Sequence, residues 1–146
     1  MNGAMEVRQA YELRTPSPGK LVGYAAVFNA RSQDLGGITE SIRPGAFSRS
    51  LKSPANIMAY FDHDTKSILG RQGAGTLQLA EDERGLRFEI DLPPTTIGQD
   101  LGVLVQRGDV SGASFAFTVP KGGDEWREHN GKPHRELLDV DLKEIT

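Results

Sequence analysis

The chain has 146 residues, 17 Lys and Arg against 20 Asp and Glu, a net charge of −3 and 37% hydrophobic residues. That size fits one domain, and the acidic balance argues against nucleic-acid binding, which normally draws on a basic excess. Cysteine is absent, which excludes disulfides, thiolate metal sites and a cysteine nucleophile. No apolar run reaches the ~20 residues that span a bilayer. The first dozen residues also lack the apolar stretch of a signal peptide, so a single cytoplasmic domain over residues 1–146 is expected. Met5 is a candidate natural start, with residues 1–5 an added or disordered segment. Charge is spread unevenly: residues 1–73 carry 9 basic and 6 acidic groups, residues 74–146 carry 8 and 14.

In chain order, residues 6–13 read as a strand and residues 15–19, with two prolines, as a turn. Residues 21–28 are apolar enough for a buried strand. The Gly-rich, polar stretch 29–39 reads as a surface loop bordering a cleft. Residues 41–47 read as a helix start, with Pro44 in the first turn where its missing N–H costs little, and with Phe47 and Leu51 on one face. A short buried strand, 56–61, runs into Asp62, His63 and Asp64. Residues 76–79 and 86–92 flank an acidic turn as a hairpin. Thr96 and Gln99 form a capping-box pattern. Ile97, Leu101, Leu104 and Val105 then recur at helical spacing until Gly108. Residues 112–117 read as a strand and 135–145 as a final one, with Leu138, Val140, Leu142 and, by the same alternation, Glu144 facing inward. The count is about seven strands and two helices. A mostly-β α+β domain follows, with antiparallel strands around one core and the helices packed outside.

His129 and His134 sit in a hydrophilic stretch and read as solvated turn residues. His63 differs. It follows an apolar strand between two aspartates, so its ring emerges at the edge of the core, where neighbours can set its tautomer. Adjacent Asp62, His63 and Asp64 cannot readily converge on one ion, and no paired-histidine spacing occurs, so no metal is expected. No Walker loop or dinucleotide fingerprint calls for a cofactor. Alternation places Ser114 and Ala116 opposite Phe115 and Phe117, the pattern of a strand lining a cleft. Ser114 is not in a G-x-S-x-G elbow, which argues against an α/β-hydrolase. From these residues alone, a turn histidine and a small strand filler stay open as readings of His63 and Ser114.

Several motifs occur together in a fixed order. They are Gly23–Phe28 (GYAAVF), Glu40–Phe47 (ESIRPGAF), the strand ending in His63-Asp64, and Leu69-Gly70-Arg71. Gly75-Thr76-Leu77, Glu83-Arg84-Gly85-Leu86, Arg107-Gly108-Asp109, Gly112–Phe117 (GASFAF) and Asp141–Ile145 (DLKEI) follow. In this the chain resembles the prohead (capsid-maturation) serine proteases of tailed bacteriophages of the HK97 type, relatives of the herpesvirus assembly proteases. Ala116 stands where that family usually has glycine, and Thr146 where it often has serine. The usual proline-containing continuation is missing, so a trimmed core or processed product is expected.

The resemblance implies a compact, barrel-like antiparallel fold like that of the herpesvirus proteases. It also implies a serine endopeptidase with Ser114 as nucleophile and His63 as general base. Glu144 is the first choice for the acid that orients His63, with Asp91 and Asp141 as alternatives, whereas Asp64 is too close in sequence. Arg71 and Arg107 are the side-chain candidates for oxyanion stabilisation. The implied substrates are phage scaffold and major capsid proteins, and the protease itself, cut inside an assembling procapsid in the host cytoplasm or by a prophage-encoded enzyme. A homodimer is the implied oligomer, and no nucleic acid, membrane or cofactor is involved. The competing expectation is a catalytically silent structural or scaffold-binding β-domain; the presence of both His63 and Ser114 favours the enzyme.

Overall fold

The computed structural model describes residues 4–32, 35–52, 57–62 and 64–146. In chain order its elements are β1 (Glu6–Arg14), β2 (Lys20–Val27), β3 (Thr39–Ile42), α1 (Ser48–Lys52), β4 (Met58–Phe61) and β5 (Asp64–Arg71). A 3-10 turn (Gln72–Ala74) leads to β6 (Leu77–Glu81), β7 (Gly85–Asp91) and α2 (Thr96–Arg107). The chain continues through β8 (Ala113–Thr118), β9 (Asp124–His129), β10 (Lys132–Leu137) and β11 (Asp141–Ile145). One sheet has eight strands in the order β5-β4-β11-β8-β1-β2-β7-β6, and a second has three, β3-β10-β9.

The domain is mostly β, as expected, but the described residues form eleven strands rather than about seven, and the sheets are not closed into a barrel. Closure would need a continuous ladder between the two outer strands of the large sheet. Between β5 and β6 there is instead the 3-10 turn and the local bonds of Thr76, whose N–H donates to the Arg71 carbonyl at 3.2 Å. The pairing is not wholly antiparallel either: β11 runs parallel to β4, and β10 parallel to β3.

Three expected elements change. Residues 41–47 do not begin a helix, because Glu40, Ser41 and Ile42 pair with Arg135, Glu136 and Leu137 of β10. Gly45, at φ +94, then turns the chain into a short α1 that starts at Ser48. The segment 135–145 is two strands in different sheets. The break occurs where the N–H groups of Leu138 and Asp139 both donate to the Gly123 carbonyl, at 2.8 and 3.1 Å. The long helix is capped one residue earlier than its sequence pattern, by Thr95, whose Oγ1 accepts from the Gly98 N–H at 3.2 Å.

The core lies on the inner face of the large sheet. Phe47 meets Phe115 edge-on with centroids 5.8 Å apart, and Phe115 stacks on Phe117 at 5.3 Å. Leu101 and Val105 turn into this core from α2, as their spacing predicts. The small sheet is tied to the large one by charge. Glu40, 3% exposed, accepts from Arg8 Nε at 2.7 Å and Nη2 at 2.9 Å. Arg135 donates to both carboxylate oxygens of Glu6, at 2.7 and 3.0 Å, and to Asp124 at 2.7 Å. A buried carboxylate of this kind survives only when fully paired, which explains why the acidic residue of the ESIRPGAF motif is structural.

Candidate active site

Strand direction decides what meets. β11 runs parallel to β4 and antiparallel to β8, so the ends of β4 and β11 lie beside the start of β8. Ile145 is opposite Ala59 on one side and Phe115 on the other. One residue further, Ser114 and Thr146 donate their N–H groups to each other's carbonyl at 2.8 Å.

Faces follow from the pleat. Phe115 and Phe117 are buried against the core, so Ser114 points to the other face, half-buried at the start of the strand. Glu144 lies directly opposite Ala116, and thus on the same face as Ser114, on the neighbouring strand. This corrects the sequence reading, which grouped Glu144 with Leu138, Val140 and Leu142 on the inward face. A register shift between Leu142 and Glu144 is the cause. Leu142 and Ile145 both turn inward, 2% exposed each, and the bulge sends Glu144 outward. Ser114 and Glu144 are diagonal neighbours, a relation that sets positions roughly 7–8 Å apart. A planar ring bonded on both sides spans such a gap. The Glu144 carboxylate makes no hydrogen bond or ion pair among the described residues.

His63 lies outside the described residues. Its chain neighbours are placed. Phe61 pairs with Asp64 across the β4–β5 hairpin, and Asp62 sits at φ +53, a left-handed conformation that aspartate tolerates better than most residues. Asp64 is occupied locally, accepting from the Lys66 N–H at 2.9 Å and the Ser67 hydroxyl at 2.8 Å. The Lys66 bond first, then the Ser67 bond, holds its carboxyl below the usual aspartate range. Asp62, Ala113 and Thr146 share the wall of one cavity of about 250 Å³, so the ends of β4 and β11 and the start of β8 converge there.

The other candidates lie apart from Ser114. Asp141 is opposite Thr118, four residues along β8, and bonds Arg49 at 2.6 Å. Asp91, on β7, pairs with Lys20 at 2.9 Å. Arg107 pairs with Asp109 at 3.0 Å on an exposed helix end. Arg71 is opposite Met58, which in turn is opposite Glu144, placing the arginine on the Glu144 side of the row, two strands from that carboxylate.

His134 departs from expectation. It is buried, 5% exposed, with Nδ1 2.7 Å from Thr39 Oγ1 and Nε2 2.9 Å from Ser41 Oγ. Burial, then the charges of Arg127 and Arg31, push its pKa down. It touches a serine, but its second nitrogen meets a threonine and no carboxylate, so it lacks the orienting acid of a Ser–His–acid triad. Pairing across β3 and β10, far apart in sequence, creates this site, and local polarity gave no signal of it.

The family profile described as caudovirus prohead serine protease matches residues 7–146. The chain belongs to the caudovirus prohead serine protease family. The match includes β8 with Ser114 and β11 with Glu144. No curated protein matches the chain, and no solved structure does. No helix among the described residues is long and apolar enough to cross a membrane.

Proposed function

We propose that the protein is a capsid-maturation serine endopeptidase, with Ser114 as nucleophile, His63 as general base and Glu144 as the acid behind the imidazole. The reading is carried by one observation: in a chain matched over residues 7–146 by a prohead protease family, Ser114 and Glu144 share one face on adjacent strands. A serine hydroxyl attacks a carbonyl only when a base removes its proton, with oxygen and nitrogen within ~3 Å. The diagonal gap suits an imidazole accepting from Ser114 and donating to Glu144. The carboxylate would hold the ring in the correct tautomer and favour the imidazolium formed as the tetrahedral intermediate develops. Ser114 acylates, the peptide amine leaves with the proton from His63, and water activated by the same ring releases the acyl group.

The substrates in this reading are the scaffold and major capsid proteins of a phage procapsid and the protease itself. Cleavage makes an assembly step irreversible and lets scaffold fragments leave. The test is co-expression with the cognate scaffold and capsid proteins. Cleavage by the wild type and none by Ser114→Ala supports the assignment. An unchanged cleavage pattern in Ser114→Ala removes Ser114 as nucleophile, and absence of cleavage by the wild type supports a silent structural module.

A further inference from the structure

We infer that the 250 Å³ cavity at the sheet end is the specificity pocket of the protease. In this assignment, which rests on the protease reading above, it takes one large apolar side chain (leucine, methionine or phenylalanine) within two residues of the scissile bond. The floor is apolar throughout, built from Leu21, Phe88, Ile90 and Leu101, all buried in the core. An apolar cavity of roughly 150 Å³ already holds a benzene ring, so about 250 Å³ accommodates a phenyl or isobutyl group. A larger groove between α2 and the Pro16–Pro18 turn, about 620 Å³, shares no residue with the β8 start.

Position links this cavity to the chemistry. Ala113 lines it and Ser114 is the next residue, so nucleophile and cavity belong to consecutive residues that face opposite sides of one strand start. An extended polypeptide alternates its own side chains with the same period. Draped over the end of the sheet with a carbonyl at Ser114, it directs a neighbouring side chain down past Ala113 and Thr146. Asp62 stands at the same wall, exposed, and its charge repels acidic side chains at the mouth. Val110 lines the cavity from the segment after α2 and is only partly buried, which makes it the position to alter.

The experiment is cleavage of a mixed peptide library by the full chain, with products identified by mass spectrometry. The expected profile shows Leu, Met or Phe favoured at one position within two residues of the cut, by about 10- to 100-fold in kcat/KM over Asp. Val110→Phe should shift that position toward Ala and Val, and Val110→Ala toward Phe and Trp. A purely structural effect would lower all peptides together. Cleavage with no apolar preference, a preference for a charged residue there, or parallel losses in both variants overturns the pocket while leaving the protease reading intact. If the wild type cuts nothing, the protease reading fails, and blocked leucine and phenylalanine tetrapeptides then test the pocket by NMR. Shifts at the Val110, Leu101 and Ile145 methyls that the Val110 variants alter uphold it as an apolar side-chain site, and no shifts overturn it.

Discussion

Ser114 and Thr146 exchange both of their backbone hydrogen bonds, at 2.8 Å in each direction. The backbone of the candidate nucleophile is therefore held by the central strand β11 while its side chain stays on the face that carries Glu144. Such clamping matters because a small misplacement of a reacting group has a large cost in rate.

With His63 as the base, kcat/KM should rise with pH as the imidazole loses its proton. A pH–rate profile on a peptide substrate measures this. A rate flat from about pH 5 to 9 would remove the imidazole from the mechanism.

Glu144→Gln keeps the shape of the side chain and removes its charge. The fold should persist by circular dichroism, and kcat should fall by up to ~10⁴-fold, as expected for an orienting acid. Full activity in this variant would remove Glu144 from the mechanism.

Two groups make stability depend on pH in the same direction. The folded-state pKa of His134 is lowered, chiefly by burial and then by Arg127, Arg31 and His129. The folded protein therefore prefers the neutral ring, and the associated stability, present above the unfolded value near 6.5, is lost as pH falls through the lower folded value. Glu6 is also lowered: burial opposes its charge, but the hydrogen bonds and attraction of Arg135, followed by those of Arg8, outweigh that. Its contribution is present above the ordinary glutamate range and lost below it. Urea unfolding across pH should show a decline in two stages. His134→Gln should remove the upper stage and leave the lower one.

Much of the domain can be read locally. The β6–β7 hairpin, α2 with its apolar face and the strand around Ser114 follow from periodicity of two or 3.6 within a few residues. The elements that escaped depend on distant partners. β9, Asp124–His129, is charged at four of its six positions and is a strand because β10 pairs with it. Residues 39–42 extend because β10 lies alongside them. The outward turn of Glu144 depends on a bulge against β8, and a bulge leaves no mark in an alternating pattern. Ser114 was placed on its face by simple alternation; the acid beside it was chosen from resemblance, and its face was misassigned.

The charge cluster between the sheets can be tested directly. Arg135→Met leaves the Asp124 carboxylate without its guanidinium partner and Glu6 with Arg8 alone, and the half-buried cluster around Glu40 loses its nearest second cation, 3.5 Å away. A loss of about 3–5 kcal/mol in unfolding free energy is expected, read from the urea midpoint. A change below about 0.5 kcal/mol would show that the cluster is no more than a surface arrangement.

Gly85 tests the packing of the hairpin on β2. A Cβ at this position would lie 1.9 Å from the Ala26 carbonyl oxygen, so Gly85→Ala must displace backbone rather than a flexible side chain. A destabilisation of about 1–3 kcal/mol is expected, measured as a lowered Tm with the native circular dichroism retained at low temperature.

The strand that separates β4 from β8 is translated after both of them. At ~5–20 residues per second, several seconds pass between the emergence of Asp62 and that of Glu144, and during this interval the large sheet has a gap where its middle belongs. In the proposed assignment, Ser114 and Glu144 therefore come to share a face only once this last strand has slid in between its two flanks.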